Sequence, residues 1–324
     1  MSCWGLDVLP AEMHQWALES IAGVYRNTFD QAEESARKII RKYPDHPAGY
    51  FFYASAINSW MNYYRSNKRE EEFFNYCDKA VEKSERLRDR QPKNMWARFF
   101  IGGAEGSKGN YEASYQRWIT AFRYGWRGVS VLHDIRKADT AFVDVLYGIG
   151  KYDYWRSALS RVLWWMPNID DRRESGIVAL RSAMNSGIFT REAAAEELVQ
   201  VLNNESRFDQ SLAIANSMLE KYPNSLTFLW GKAAALVGLG RFDEAEKLYR
   251  YLLISVEAET FDNHYNAVLC HFYLADIYSK SVRKMSVAAE CKLMDNYKLS
   301  NDVANQLKPV FEKAAMLKKL AAAR

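Results

Sequence analysis

The feature that most constrains this fold is a short motif that returns after 34 residues. Arg207-Phe208-Asp209-Gln210-Ser211 aligns with Arg241-Phe242-Asp243-Glu244-Ala245, and an upstream copy reads Phe29-Asp30-Gln31-Ala32. Two copies have a proline 15 residues after the phenylalanine, in the triplets Lys42-Tyr43-Pro44 and Lys221-Tyr222-Pro223. A fixed period of this length is typical of helical hairpins that stack in a row.

Each residue type in the motif suits a unit of two antiparallel helices. The phenylalanine fills the space where the second helix begins, and the aspartate lies near the positive end of that helix's dipole. Ala32 and Ala245 are small enough for the first helix to approach closely. The proline ends the second helix because it cannot continue one, and Gly240 lies where the first helix must turn back.

These residues resemble the tetratricopeptide repeat, in a degenerate form of the bacterial type. The resemblance is best from Ala193 to Leu253, is shorter around Ala17–Pro47, and is degenerate at Gly109–Ala113 and Phe73–Pro92. It implies an all-α fold, a right-handed α-solenoid of antiparallel helical hairpins that forms a superhelix.

We therefore expect a single solenoid domain over residues 1–324. Its parts are the clearest repeats (13–47, 192–225 and 226–259), degenerate units over 48–190 and capping helices over 261–324. The glycines of 123–130 predict a break in the helical pattern.

Composition agrees with a helical chain. Of the 324 residues 48% are hydrophobic, and there are only 16 glycines and 7 prolines. A solenoid would bury this apolar surface between neighbouring repeats. The net charge of +4 is mild, and the densest basic stretch, Lys308 to Arg324, is typical of a solvated helix end. We therefore do not expect a nucleic-acid partner.

Cysteine spacing and hydropathy bear on the compartment. Cys3, Cys77, Cys270 and Cys291 show no CxxC spacing, which favours a reducing environment. No apolar run reaches the ~18 residues of a membrane helix, and residues 1–5 show no secretory signal. The cytoplasm is slightly favoured, with the periplasm as the alternative if a signal peptide has been removed.

Candidate chemistry in the sequence has a simpler structural explanation in each case. His264 and His271 lie about 10.5 Å apart along a helix, too far to ligate one metal ion. The glycine-rich run at 102–109 lacks the preceding strand and Gly-Lys-Ser/Thr ending of a phosphate loop, so close helix packing and a tight interhelical turn explain it better. His133-Asp134 has no nucleophile assigned beside it. We expect no catalytic residue, no cofactor and no metal site.

The family resemblance also implies which side chains line the concave groove. Counting from Ala245 as the small residue of the second helix, the groove positions include Thr227, Trp230, Ala234 and Val237. In the preceding unit they are Glu196, Gln200 and Asn203, with Asn204 beside them, and in the first unit they include His14. The absence of a groove lysine argues against the subclass that grips a C-terminal carboxylate.

The leading hypothesis is a non-enzymatic scaffold that binds a peptide segment or partner helix of another, unidentified protein on its concave face. A homo-oligomer stays open. The alternative is a receptor for a small ligand or glycan, in which aromatic residues cluster in one exposed pocket; the candidates are Trp60, Trp96, Trp126, Trp155 and Trp230. An enzyme is the third class, and a buried carboxylate or histidine with a shifted pKa in a deep cleft would favour it.

Overall fold

The regular structure of the described residues is entirely α-helical. A computed structural model describes residues 9–160, 170–280 and 285–322, and within these ranges it contains fifteen helices and no strand. They are α1 Ala11–Tyr25, α2 Phe29–Lys42, α3 Pro47–Tyr64, α4 Glu70–Arg90, α5 Met95–Ser114, α6 Trp118–Ala138, α7 Val145–Ser160, α8 Arg173–Ser186, α9 Arg191–Asn204, α10 Phe208–Lys221, α11 Leu226–Gly238, α12 Phe242–Glu257, α13 His264–Ser279, α14 Met285–Met294 and α15 Asn301–Ala322. The expected all-α class of α-solenoid type is confirmed.

The recurring motif begins and ends helices as its residues predict. Phe29, Phe208 and Phe242 are the first residues of α2, α10 and α12. Helices α2 and α10 end at Lys42 and Lys221, two residues before the proline of each triplet. The helix boundaries of the clear repeats were therefore readable from local chemistry.

One turn geometry closes the first helix of four hairpins. At Gly240, which has φ 71°, the backbone N–H of Arg241 donates to Leu236 O at 2.9 Å and that of Gly240 donates to Val237 O at 3.1 Å. This bond pair is the Schellman motif, which needs a left-handed residue after the helix. The same left-handed position is held by Asn27 (φ 60°), Gln116 (φ 59°) and Ser206 (φ 57°).

The degenerate motif at 109–113 has a different register from the one predicted. Tyr111 lies inside α5, and the second helix begins instead at Trp118, two residues after the left-handed Gln116. Phe242 has the same relation to Gly240. The aromatic that opens this hairpin's second helix is therefore Trp118.

Glycines bring α5 and α6 into backbone contact. Gly125 and Gly128 lie inside α6, so the break predicted at 123–130 is wrong. A Cβ atom at Gly128 would lie 2.7 Å from Gly102 O, and one at Gly109 would lie 2.9 Å from Gly125 N. The explanation of the glycine-rich run as close helix packing is confirmed, whereas the tight interhelical turn expected there is wrong because 102–109 lies within α5.

The chain divides into two compact units, one of residues 1–60 and 68–201 and the other of residues 61–67 and 202–324. Unit 1 buries a core that includes Met13, Ile39, Phe73, Phe100 and Tyr154. Unit 2 buries a cluster that includes Leu229, Tyr249, Leu252, Leu274 and Leu307. The expectation of a single domain over 1–324 stays a prediction, and residues 161–169 and 281–284 with both chain ends lie outside the described residues.

Candidate functional site

Helix α11 of unit 2 separates its predicted groove positions from its core positions. The predicted positions are half-buried: Thr227, Trp230, Ala234 and Val237. The core positions between them are fully buried: Phe228, Leu229, Ala233 and Leu236. One face of α11 therefore stays accessible while the rest of the helix packs into the unit.

Trp230 is held in place by two tyrosines. Its ring lies edge-on to Tyr249, with centroids 5.7 Å apart, and 6.2 Å from Tyr273. The two tyrosine rings stack 5.0 Å apart, and burial raises the pKa of both phenols. A large apolar side chain is thus fixed at the half-exposed face of α11.

Asn203 joins the end of α9 to α11. Its side-chain N–H donates to Gly231 O at 3.1 Å. The amide oxygen on the same side chain is buried and accepts no hydrogen bond within the described part of the chain. Asn204, the next residue, is exposed. Unit 2 therefore brings amide groups beside the apolar face of α11.

The first helices of unit 1 are covered by a segment of their own unit. Phe189, which is 5% exposed, lies 5.2 Å from the ring of His14, a predicted groove residue. The same ring lies 5.3 Å from Phe52 and 5.0 Å from Trp96. The side chain of Phe189 thus packs against residues of α1, α3 and α5.

A buried carboxylate fixes the segment that carries Phe189. Asp144 accepts hydrogen bonds from the backbone N–H of Ile188 at 3.0 Å, Phe189 at 2.7 Å and Thr190 at 3.0 Å, and from Thr190 Oγ1 at 3.1 Å. It caps the start of α9 from 44–46 residues away in the chain. Sequence reasoning missed this cap because no local pattern links Asp144 to α9.

Glu196, another predicted groove residue, takes part in an internal network of unit 1. Tyr25 donates to its carboxylate at 2.8 Å. Burial raises the pKa of both groups. The neighbouring Glu197 pairs with Lys151 at 2.6 Å and accepts from Trp155 Nε1. Gln200, one turn further, is exposed.

Shifted pKa values occur both at internal groups and in a cavity of unit 2, where burial raises the pKa of Glu259. Burial raises the pKa of Glu196 and lowers that of His46 to about 4. Neither residue lines the cavity of about 270 Å³ that unit 2 contains between the end of α12 and the start of α13. In that cavity Glu259 accepts from Tyr63 at 2.5 Å and Glu257 accepts from Tyr297 at 2.6 Å. The carboxylates of the cavity are therefore engaged in internal hydrogen bonds.

The histidines of α13 have structural contacts. His264 Nδ1 lies 2.9 Å from Lys298 O, and the buried His271 lies 2.7 Å from Glu290 and 3.1 Å from Tyr297 OH. Across the described residues, no group of three or more His, Cys, Asp or Glu side chains could hold a metal ion. In the same ranges no helix has the length and hydropathy needed to cross a bilayer.

The five candidate tryptophans lie on five different helices. Trp96 is buried among phenylalanines, and Trp60 lies under the guanidinium of Arg69. Trp155 donates a hydrogen bond to Glu197, and the ring of Trp230 packs against Tyr249. Trp126 is 59% exposed on α6. Trp96, which is 4% exposed, therefore does not line an exposed pocket.

Comparison with known proteins agrees with the helix pattern. Residues 196–278 match the family model of the tetratricopeptide repeat. A thermophilic tetratricopeptide repeat protein of Thermus thermophilus is similar in structure, with 16% identity, a TM-score of 0.42, and 69% of this chain and 99% of that chain covered. A tetratricopeptide repeat protein of Parabacteroides merdae has 13% identity, a TM-score of 0.41, and 97% and 100% coverage. No curated protein matches the sequence. The family match falls on α9–α13, where the repeated motif is also clearest.

Proposed function

Residues 196–278 match the tetratricopeptide repeat family, and from this premise we propose that the chain is a non-enzymatic scaffold that binds a segment of another protein. Proteins of this fold generally mediate protein–protein interaction and are typically not catalysts. The proposed binding face is that of unit 2: Asn203, Asn204, Thr227, Trp230, Ala234 and Val237.

The observation that carries the proposal is the half-exposed apolar and amide face of α11. Trp230 supplies a large ring that is already immobilised by Tyr249 and Tyr273, so a ligand that covers it loses little side-chain entropy. Tryptophan in such a position is a common centre of binding energy.

Two of the predicted groove positions of unit 1 have internal contacts, which favours unit 2 as the binding face. In unit 1, Phe189 lies against His14, and Glu196 is bonded by Tyr25. A partner would have to displace these contacts before it reached the first helices. For this reason we do not include Glu196 in the proposed face.

A photo-reactive amino acid provides the direct test. It is incorporated singly at Thr227 or Asn204, and the chain is irradiated in the native cell. The matched control carries the same probe at Ile254, which is 67% exposed on α12. We expect the two groove positions to form covalent adducts with one common protein that the control position does not label. Equal labelling from all three positions, or no adduct from either groove position, would overturn the proposal.

A substitution pair tests whether the face itself supplies the affinity. Ala234→Arg places a long charged side chain on the half-exposed stripe, and Ile254→Arg makes the same addition on α12. Once the adduct is identified, binding of that protein should weaken more than about tenfold for Ala234→Arg, equivalent to about 1.4 kcal/mol. The Ile254→Arg chain should bind like the wild type.

A further inference from the structure

Helix α6 of unit 1 carries an exposed stripe that the proposed scaffold function does not use. Ile119 is 80% exposed and Trp126 is 59% exposed. They are seven residues apart, two turns of one helix, with the exposed Arg123 between them and the exposed Arg127 beside Trp126. Two large apolar side chains and two guanidinium groups thus share one solvent-facing stripe.

The opposite side of α6 fixes this stripe in place. Ala121, Gly128, Leu132 and Ile135 are buried, on the side that packs against α5 and α7. A Cβ at Gly128 would lie 2.7 Å from Gly102 O, so the backbones of α5 and α6 are in contact. The helix cannot turn Trp126 inward without losing that contact.

The charge on the stripe is uncompensated. Between Glu112 and Asp134 the sequence has no acidic residue. Arg123 lies 5.6 Å from the ring centroid of Tyr124, and within the described residues neither Arg123 nor Arg127 forms an ion pair. The stripe therefore complements a negatively charged surface.

We propose that the α6 stripe of Ile119, Arg123, Trp126 and Arg127 docks on an anionic lipid surface. Tryptophan is enriched at the membrane–water interface, and arginine is attracted to anionic headgroups. A ridge of apolar and basic side chains on a single helix suits a flat lipid surface. Ile119, the most exposed apolar residue of the stripe, enters the headgroup region beside Trp126.

The test is co-sedimentation of the full chain with vesicles of phosphatidylcholine containing about 30% phosphatidylserine. The Arg123→Glu/Arg127→Glu variant should bind at least about 25-fold more weakly, because each basic side chain near an anionic surface contributes about fivefold. The control is Lys308→Glu/Lys313→Glu, which changes net charge equally at exposed positions of α15. Circular dichroism checks that both variants keep their helical content.

Trp126→Ala tests the apolar part of the docking. It should also weaken sedimentation, whereas Ile254→Ala, at a position that is 67% exposed on α12, should not. Equal losses in the α6 and α15 charge variants would overturn the proposal, as would equal binding to pure phosphatidylcholine or no binding at all. Binding of a polyglutamate peptide that depends on Arg123 and Arg127, without vesicle binding, would overturn it in favour of an acidic protein partner.

Discussion

The cap that Asp144 places on α9 leads to a strong prediction about unit 1. Asp144 is 3% exposed, and four donors from 188–190 converge on its carboxylate at 2.7–3.1 Å. Asp144→Ala removes the acceptor and leaves those donors inside the protein. The side chain of Phe189, which those bonds position, should then lose its fixed place beside His14 and Trp96.

The expected magnitude follows from the individual donors. The N–H groups of Phe189 and Thr190 are buried, whereas that of Ile188 is partly accessible and can turn to water. Each buried donor left without a partner costs about 1–3 kcal/mol. Two such donors give a loss of about 4 kcal/mol, and Asp144→Asn should lose about half of that because one acceptor oxygen remains.

The assay has to be local, because a chain with two compact units need not unfold in one step. Hydrogen–deuterium exchange measured on peptides covering 186–196 reports the start of α9 directly. A loss of about 4 kcal/mol corresponds to about a thousandfold loss of protection if that segment opens as a unit. Asp134→Ala, an exposed acidic position on α6, is the control and should leave the segment unchanged. Unchanged protection of 186–196 in Asp144→Ala would refute the reasoning.

Three further predictions concern backbone strain and buried ionisable groups. Gln116→Gly should raise the urea midpoint by removing about 1 kcal/mol of left-handed strain. Gly240→Ala should lower the midpoint by a similar amount. Backbone strain alone causes that loss, because the added Cβ atom has no neighbour within 4 Å. Because burial lowers the pKa of His46 from 6.5 to about 4, stability present above pH 6.5 should fall by about 3 kcal/mol as the pH drops to 4. His46→Asn should remove that pH dependence, measured as a pH series of melting temperatures. Asparagine is chosen because it keeps an acceptor for the backbone N–H of Ala48. A pH profile unchanged from the wild type would contradict the prediction. Burial raises the pKa of Glu196, so its ionised form lowers the stability of the folded state as the pH rises above 4.5. Glu196→Gln should therefore melt at a higher temperature than the wild type at pH 7, and the difference should shrink towards pH 4.5.

The local features of the repeat were predictable because they act over a few residues. A phenylalanine that opens a helix, a proline that prevents its continuation and a glycine in a left-handed turn depend mostly on their immediate neighbours. The same reasoning failed at Gln116. A Schellman turn tolerates a residue other than glycine at a cost of about 1–2 kcal/mol, and tertiary packing of the hairpin can outweigh that strain.

The candidate site was predictable only where the repeat is regular. The half-exposed positions of α11 follow from the 34-residue period, and which of them bind a partner stays a prediction. Phe189 against His14 and Tyr25 bonded to Glu196 could not be read from the sequence, because the partners lie 175 and 171 residues apart. No local periodicity records such a pairing.

The sequence by itself determined the helical hairpins, their repeat length and the ends of the clear helices, since propensity, capping and small-residue spacing are properties of short segments. Only the tertiary structure decided which first-helix faces stay open. Phe189 and Asp144 cover a face of unit 1 from distant positions in the chain, and the α5–α6 glycine contact leaves Trp126 in solvent. Those outcomes depend on which helices pack together, because burial and hydrogen bonding at these positions involve residues far apart in the chain.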